Sequence, residues 1–346
     1  MSGVLKLPIL RSGKVPPEIL EKQVFPYLGS GDPDIIHGPG IGRDAALIRV
    51  GRQVAVATTD PITGAVHKIG SYVIHVCAND VATFGIRPRW FLATILLPEN
   101  ANTQMLEDIM VSMHTTAKTL NVAIIGGHTE VTLGLGRPII IGFMLGIAEN
   151  EEYVTSSNAQ PENALILTKG VAIEGTAILA TERANDLRHK LSENMIERAQ
   201  QFLNQLSVVP EAMEAMKTGA VTAMHDPTEG GVANGIHEMA DASGVGFIVD
   251  RGALMIHEET RHICQALDID PLNLIASGAM LIAVDRTKAN NVIEVLQKTG
   301  ISAATIGRLV GDPRIRNIIE LDGSIHPFPQ PKEDALWNAL IKPMKQ

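Results

Sequence analysis

The chain has 346 residues, 45% of them hydrophobic and 19% charged, with 31 glycines and a formal net charge of -9. That length accommodates two ordinary domains, and the apolar content and abundant glycine exclude a disordered chain and point to a globular mixed α/β protein rich in tight turns. The acidic balance without a Lys/Arg run excludes nucleic acid as a partner; apolar runs such as "RPIIIGFMLGIAE" are too short for a bilayer and "MSGVLKLPILRSGK" reads as no leader, so the expectation is a cytoplasmic protein with no membrane segment.

In chain order, "PPEILEKQVFPYL" predicts a leading helix, and after a Gly-rich turn "RQVAVATTD" predicts a strand ending at Asp60. The stretch "GSYVIHVCANDVATFGI" predicts a helix stopped by Pro88, and "RWFLATILLP" a buried strand. Met105, Ile109 and Met113 recur at helical spacing in "TQMLEDIMVSMHTTAKTL", and two strands follow, "VAIIGGHTEV" and "RPIIIGFMLGIAE". The aperiodic "NEEYVTSSNAQPEN" marks a seam, which divides the chain into domains at 1–152 and 153–346. Beyond it come the strand "ALILTKG", a helix from "IEGTAILATER", a helical region over 191–217, and a turn and helix in "TAMHDPTEGGVANGIHEMADASG". Strands "GFIVD" and "AMLIAVD", the helix "TKANNVIEVLQKTG" and strands "AATIGRLV" and "IRNIIEL" complete the pattern. Strand pairs mixed with helices favour two α+β domains over a doubly wound sheet. Cys77 and Cys264, far apart and in no CxxC pattern, read as buried thiols and not as zinc ligands or a disulfide.

The candidate chemistry begins at Asn79 and Asp80, which interrupt the apolar side of a helix flanked by Val73, Cys77, Val81 and Phe84. A buried, unpaired carboxylate is very costly, so Asp80 needs a cation, a set of donors or the lip of a cleft. Asp60 with Thr59 at one strand end, Asp44 after Gly40, Gly42 and Arg43, and His128, Thr129 and Glu130 after a turn at Gly126-Gly127 place further polar groups at element ends. Carboxylates gathered from several element ends suit magnesium, and glycines let backbone N–H groups approach phosphates. In the second half, Asp226, Pro227 and Glu229 spell a helix capping box, while Gly230 and Gly231 weaken a first helical turn and suit an anion; both readings stand.

Together, "GRDAALI", "ATTDPITG", "CANDVATFGIRP", "GGHTEV", "DPTEGGVANGIHEMA" and "LIASGAMLIAV" resemble, in order and from about Gly38 to Arg308, the aminoimidazole ribonucleotide (AIR) synthetase superfamily. The last two segments look most similar to its hydrogenase maturation branch, HypE. The resemblance implies a PurM-like two-domain fold, an N-terminal domain that dimerises into a barrel and a C-terminal α+β sandwich domain. It implies ATP as cosubstrate and Mg2+ held by Asp44, Asp60, Asp80 and Glu130, with Thr59 and Asn79 nearby. Lys68 is a candidate for neutralising transition-state charge, beside the alternative of a solvated surface lysine. Two acids usual in the family are replaced, by Arg43 and His128, and HypE proteins end in a carbamoyl-carrying cysteine where this sequence reads "NALIKPMKQ". The expectation is ATP-dependent phosphorylation of an oxygen of a small amide, carboxamide or phosphate, in a homodimer with a maturation-protein partner. The alternatives are a nucleotide-binding assembly or regulatory protein without turnover, or a relative of thiamine-monophosphate kinase.

Overall fold

The computed structural model describes residues 15–63, 68–148 and 152–341. The N-terminal stretch read as lacking a leader, the first residues of the seam and the last residues of the C-terminal tail lie wholly or mainly outside them. Among the described residues, helix α1 (Pro17–Gln23) leads into strands β1 (Ile35–His37), β2 (Ala46–Val50) and β3 (Gln53–Ile62). Then come α2 (Ile69–Ala82), β4 (Pro88–Leu97), α3 (Thr103–Thr119), β5 (Ala123–Val131) and β6 (Ile139–Ala148). The second half runs β7 (Ala164–Thr168), α4 (Ile173–Glu182), α5 (Ala184–Leu187), α6 (Glu193–Gln200), a 3-10 turn at Gln201–Gln205, α7 (Val209–Met216), β8 (Val221–His225) and α8 (Gly231–Ser243). It closes with β9 (Gly246–Asp250), α9 (Glu258–Leu267), β10 (Leu281–Val284), α10 (Ala289–Lys298), β11 (Ala303–Val310), β12 (Arg316–Ile319), β13 (Ile325–Pro327) and α11 (Ala335–Ile341).

The strands form two sheets, ordered β1-β2-β3-β6-β4-β5 and β13-β12-β9-β11-β7-β10-β8. Pairing is antiparallel except for β4 with β5 and β12 with β9. This is the mixed two-sheet α+β architecture expected from the alternation of strand pairs and helices. Strand β6 buries every second residue, as a sheet with one covered face requires. Helix α2 lies on that face, and β6 gives way to it at glycine: a Cβ on Gly142 would meet Cys77 Sγ at 2.6 Å.

Helix α2 is buried nearly all round because a third layer covers it. One apolar cluster runs from the first sheet through Val73, Cys77 and Val81 to Val208, Val209 and Ala212 at α7, then to Met224 and Ile282 in the second sheet. A separate core lies on the other face of the second sheet, under α4, α8 and α9. The β7 sequence "ALILT", sandwiched between the two cores, is buried at all five positions. Both cysteines are free and buried in these cores. No helix among the described residues is long and apolar enough to cross a membrane.

Candidate functional site

Four carboxylates meet where the two sheets adjoin. Asp44 precedes β2, Asp60 lies near the end of β3, Asp80 sits in the last turn of α2, and Asp226 follows β8. Thr58 Oγ1 lies 2.6 Å from Asp80 Oδ2, donating to it, and 2.9 Å from the Asp44 backbone oxygen. The Asp60 carboxylate lies within hydrogen-bonding reach of Asp80. Burial, then the charge of Asp60, pushes Asp80 well above the usual carboxylate range. Burial and Asp44 do the same to Asp226, against the opposing pull of His225.

His225 was not singled out by the sequence. Its Nδ1 lies 3.1 Å from Asp44 Oδ2 and its Nε2 2.9 Å from Glu238 Oε2 on α8, with the imidazole 4% exposed. Burial pulls its pKa down, yet the two carboxylates outweigh burial and hold it well above the ordinary histidine value. The imidazolium thereby fixes Asp44 in place. One ligand atom from each of Asp44, His225 and Asp226 falls within 4.8 Å of the others. The carboxylates are hard oxygen donors of the kind that suits a hard divalent cation, while the His225 imidazolium pairs with Asp44.

The other residues expected at the site fall into three groups. The first is local structure around the carboxylates. Thr59 donates to the Gly142 carbonyl at 2.9 Å. Gly42, at φ +70°, presents its carbonyl to Ser156 Oγ at 2.8 Å, and Arg43 folds back over Gly40 to the Gly38 carbonyl at 3.0 Å. Asn79 was expected near nucleotide; its Nδ2 instead donates to the Leu206 carbonyl and its Oδ1 accepts the Val208 N–H, both at 2.8 Å. Adjacent helix residues point about 100° apart, so Asp80 can face the cleft while Asn79 fastens α2 to the segment before α7.

The second group is not brought to the cluster by this chain. Lys68 stands at the opposite end of α2 from Asp80, about 18 Å of helix away at 1.5 Å per residue. His128, Thr129 and Glu130 are exposed on the edge strand β5. There His128 Nε2 meets Glu130 Oε2 at 3.1 Å, and the Thr132 hydroxyl, then His128, holds Glu130 below the usual carboxylate range. The expected turn at Gly126-Gly127 is absent: β5 runs through both residues, and a Cβ on Gly127 would meet the Ala93 carbonyl at 2.0 Å.

The third group is the glycine-rich helix start. The capping box does not form: α8 begins only at Gly231, since Gly230 and Gly231 have φ of +79° and +66°, outside the helical region, and the N-cap Gly230 lacks a side chain. The Gly230 N–H that suited an anion already donates to one, Asp334 Oδ2, at 2.6 Å.

Comparison with known proteins completes the description. Residues 42–148 match the family model "AIR synthase related protein, N-terminal domain", and residues 160–320 match the corresponding C-terminal domain. A hydrogenase expression/formation protein of Methanocaldococcus jannaschii is 30% identical over 273 residues, covering 76% of this chain and 78% of its own length. The carbamoyl dehydratase HypE of Escherichia coli is 27% identical over 281 residues, covering 79% and 80%. Among solved structures, that of the hydrogenase maturation protein HypE in complex with ATP superposes with a TM-score of 0.72 over 94% of this chain and 97% of its own; at 19% identity this shows a common fold.

Proposed function

Since the chain belongs to the AIR synthase related family and is similar to its HypE members, we propose that it binds ATP with Mg2+ at the Asp44, Asp60, Asp80 and Asp226 carboxylates and phosphorylates an oxygen of a small amide, carboxamide or phosphate in hydrogenase maturation. The observation that carries this reading is the convergence of four carboxylates from four separate elements, two of them, Asp80 and Asp226, buried and pushed above their usual range by burial and then by the neighbouring charges of Asp60 and Asp44 respectively. Burying like charges together costs stability, and a divalent cation would relieve that cost.

In this reading Asp44, Asp60, Asp80 and Asp226 would hold the metal, which would supply neutralisation of the charge that develops during phosphoryl transfer. The chain's own residues position it. His225, held by Glu238, keeps Asp44 turned toward Asp226; Thr58 orients Asp80; Asn79 ties the end of α2 to the second domain so that Asp80 and Asp226 stay in register. Thr59, Gly40, Gly42 and Arg43, beside Asp60 and Asp44 in the chain, would form the approach in this reading. A homodimer belongs to the same reading: β5 is an edge strand, with Ile125, Val131 and Leu133 in or just beyond it 54%, 60% and 83% exposed. Pairing there would cover His128, Thr129 and Glu130. A maturation protein that presents the acceptor is the second partner, and the setting is cytoplasmic.

A second reading, nucleotide binding without turnover, draws support from the Asp334 carboxylate standing on the Gly230 N–H, where a phosphate would otherwise dock. Phosphorus NMR of the protein with magnesium and ATP, beside an Asp80→Asn variant and with a carboxamide peptide or thiamine monophosphate as acceptor, separates the readings. ADP formation that requires Asp80 supports the enzyme. Broadened ATP resonances without product support the binding protein, and unchanged spectra contradict both.

A further inference from the structure

We propose that a second pocket, where α2 and α3 meet the segment 201–206, binds a small molecule through an oxyanion, a carboxylate or a phosphate group. The pocket has a volume of about 190 Å³, and Lys68, Ser71, Tyr72, His75, Thr116 and Asn204 line it. It lies at the far end of α2 from the carboxylate cleft and does not depend on the nucleotide reading.

Three features point to a ligand with acceptor oxygens. The first is His75. Burial, then the nearby charge of Lys169, pushes its pKa down to about 4, so the ring is neutral at physiological pH, and its buried Nδ1 has no hydrogen-bond partner among the described residues. A buried ring nitrogen is ordinarily satisfied by protein, water or a ligand, and the residue that carries this one lines the pocket.

The second feature is a set of hydroxyls with protons to give. Thr116 Oγ1 donates to Ser71 Oγ at 2.8 Å, which leaves the Ser71 proton without an acceptor among the described residues. Tyr72 is 6% exposed, and burial, then the Glu174 and Glu182 carboxylates, raises its pKa well beyond the ordinary tyrosine value, so the phenol keeps its proton and serves as a donor.

The third feature is the start of α2 itself. This 14-residue helix opens at Lys68 with no side-chain cap, and Lys68 holds a left-handed φ of +55° that non-glycine residues rarely adopt. Lys68 lines the pocket at the positive end of the helix dipole, an arrangement that favours an anion. The anionic group would sit at Lys68 and the helix start, and the body of the ligand would reach Tyr72 and His75. Leu206 also lines the pocket, and its carbonyl accepts the Asn79 amide, so an occupant bears on the residue next to Asp80.

The test uses the full chain, long-range proton–nitrogen NMR of the histidine rings, a His75→Gln variant to assign the resonances, and inorganic phosphate and acetate as separate probes. The expected result is a saturable shift of the His75 ring nitrogens with one probe, weakened about tenfold in Lys68→Met as befits loss of a charge-assisted contact, and also weakened in Tyr72→Phe. A response to phosphate assigns a phosphate ester, and a response to acetate a carboxylate. Both variants keep the packing, since Lys68 is exposed and Tyr72→Phe removes one hydroxyl. The proposal is overturned if neither probe shifts His75, or if the shift saturates with unchanged affinity in both variants.

Discussion

Lys169 and Glu211 meet at 2.7 Å in the second half of the chain, their side chains 12% and 1% exposed, while Asp80 and Asp226 are buried among other carboxylates at the junction of the two sheets. In the first region every demand is met internally. The Lys169 ammonium gives its three protons to Glu211 and to the Gln205 and Ser207 carbonyls, at 2.9 and 2.6 Å for the two carbonyls. In the second region like charges repel, and the group that answers them, His225, is shared with Glu238. A charge that folding alone has to hold is paired and saturated; a charge held for a ligand is left in need of one. The contrast makes substitutions in the two regions differ in sign as well as size.

The largest effect is expected at the saturated pair. Glu211→Ala strands a buried ammonium, and chemical denaturation should show a loss of about 3–5 kcal/mol. A loss under about 1 kcal/mol would mean that water already reaches Lys169 and that the contrast is weaker than drawn.

Glu174 on α4 comes next. Burial pushes its carboxyl up to about 7, the Ser277 hydroxyl pulls the other way, and its Oε2 has no hydrogen-bond partner among the described residues. A folded-state pKa above the unfolded one means that the native state binds the extra proton between about 4.5 and 7, so this group's contribution to stability falls as pH rises through that window. Glu174→Gln should therefore stabilise the protein at pH 8 relative to pH 5, by at most about 3 kcal/mol. Melting curves at the two pH values check it, and equal shifts at both would remove Glu174 from the account.

Asn79→Ala deletes two buried hydrogen bonds and leaves the Leu206 carbonyl and Val208 N–H unmet, for an expected loss of about 2 kcal/mol by urea denaturation. Asp80→Asn, one residue on, should cost nothing or raise stability by about 1 kcal/mol, since it removes a repelling carboxylate while its amide oxygen still accepts from Thr58. Neighbouring substitutions of opposite sign are the sharpest form of the comparison; a large loss at Asp80 would make it a structural acid.

Three carboxylates of the cleft stand in distinctive sequence settings, Asp60 in the terminal part of a β-branched strand, Asp44 after a glycine-rich loop and Asp80 inside an apolar helix, whereas Asp226 before Pro227 reads as a helix cap and Glu130 was expected as the fourth acid. The strand and helix succession that gives two α+β sheets was legible for the same local reasons. What stayed hidden was direction and distance. Asn79 and Asp80 look like one motif, but the 100° between consecutive helical residues sends them to different neighbours. Lys68 is near Asp60 in sequence, yet the rise of α2 carries Asp80 far from it. The Asp226–Glu229 capping signal was overridden by left-handed backbone at Gly230 and Gly231, which Leu272 and Leu274 carbonyls within 2.6 Å of a Cβ on Gly231 reserve for glycine. His225 sits beside Asp226, and the signal that could have found it is the pairing of an interior histidine with an acid on the following helix, Glu238. Gly126 and Gly127 suggested a turn because glycine marks both turns and close strand approach, and here it marks the second.

The central claim is that the cleft carboxylates are assembled for a magnesium–nucleotide complex. Its most direct test is calorimetric titration of ATP into the wild-type protein and Asp80→Asn, each with magnesium and with chelator. The account predicts wild-type binding that needs magnesium and falls at least about tenfold in Asp80→Asn, with folding unimpaired. Binding equally tight without magnesium, or unchanged in the variant, would contradict it.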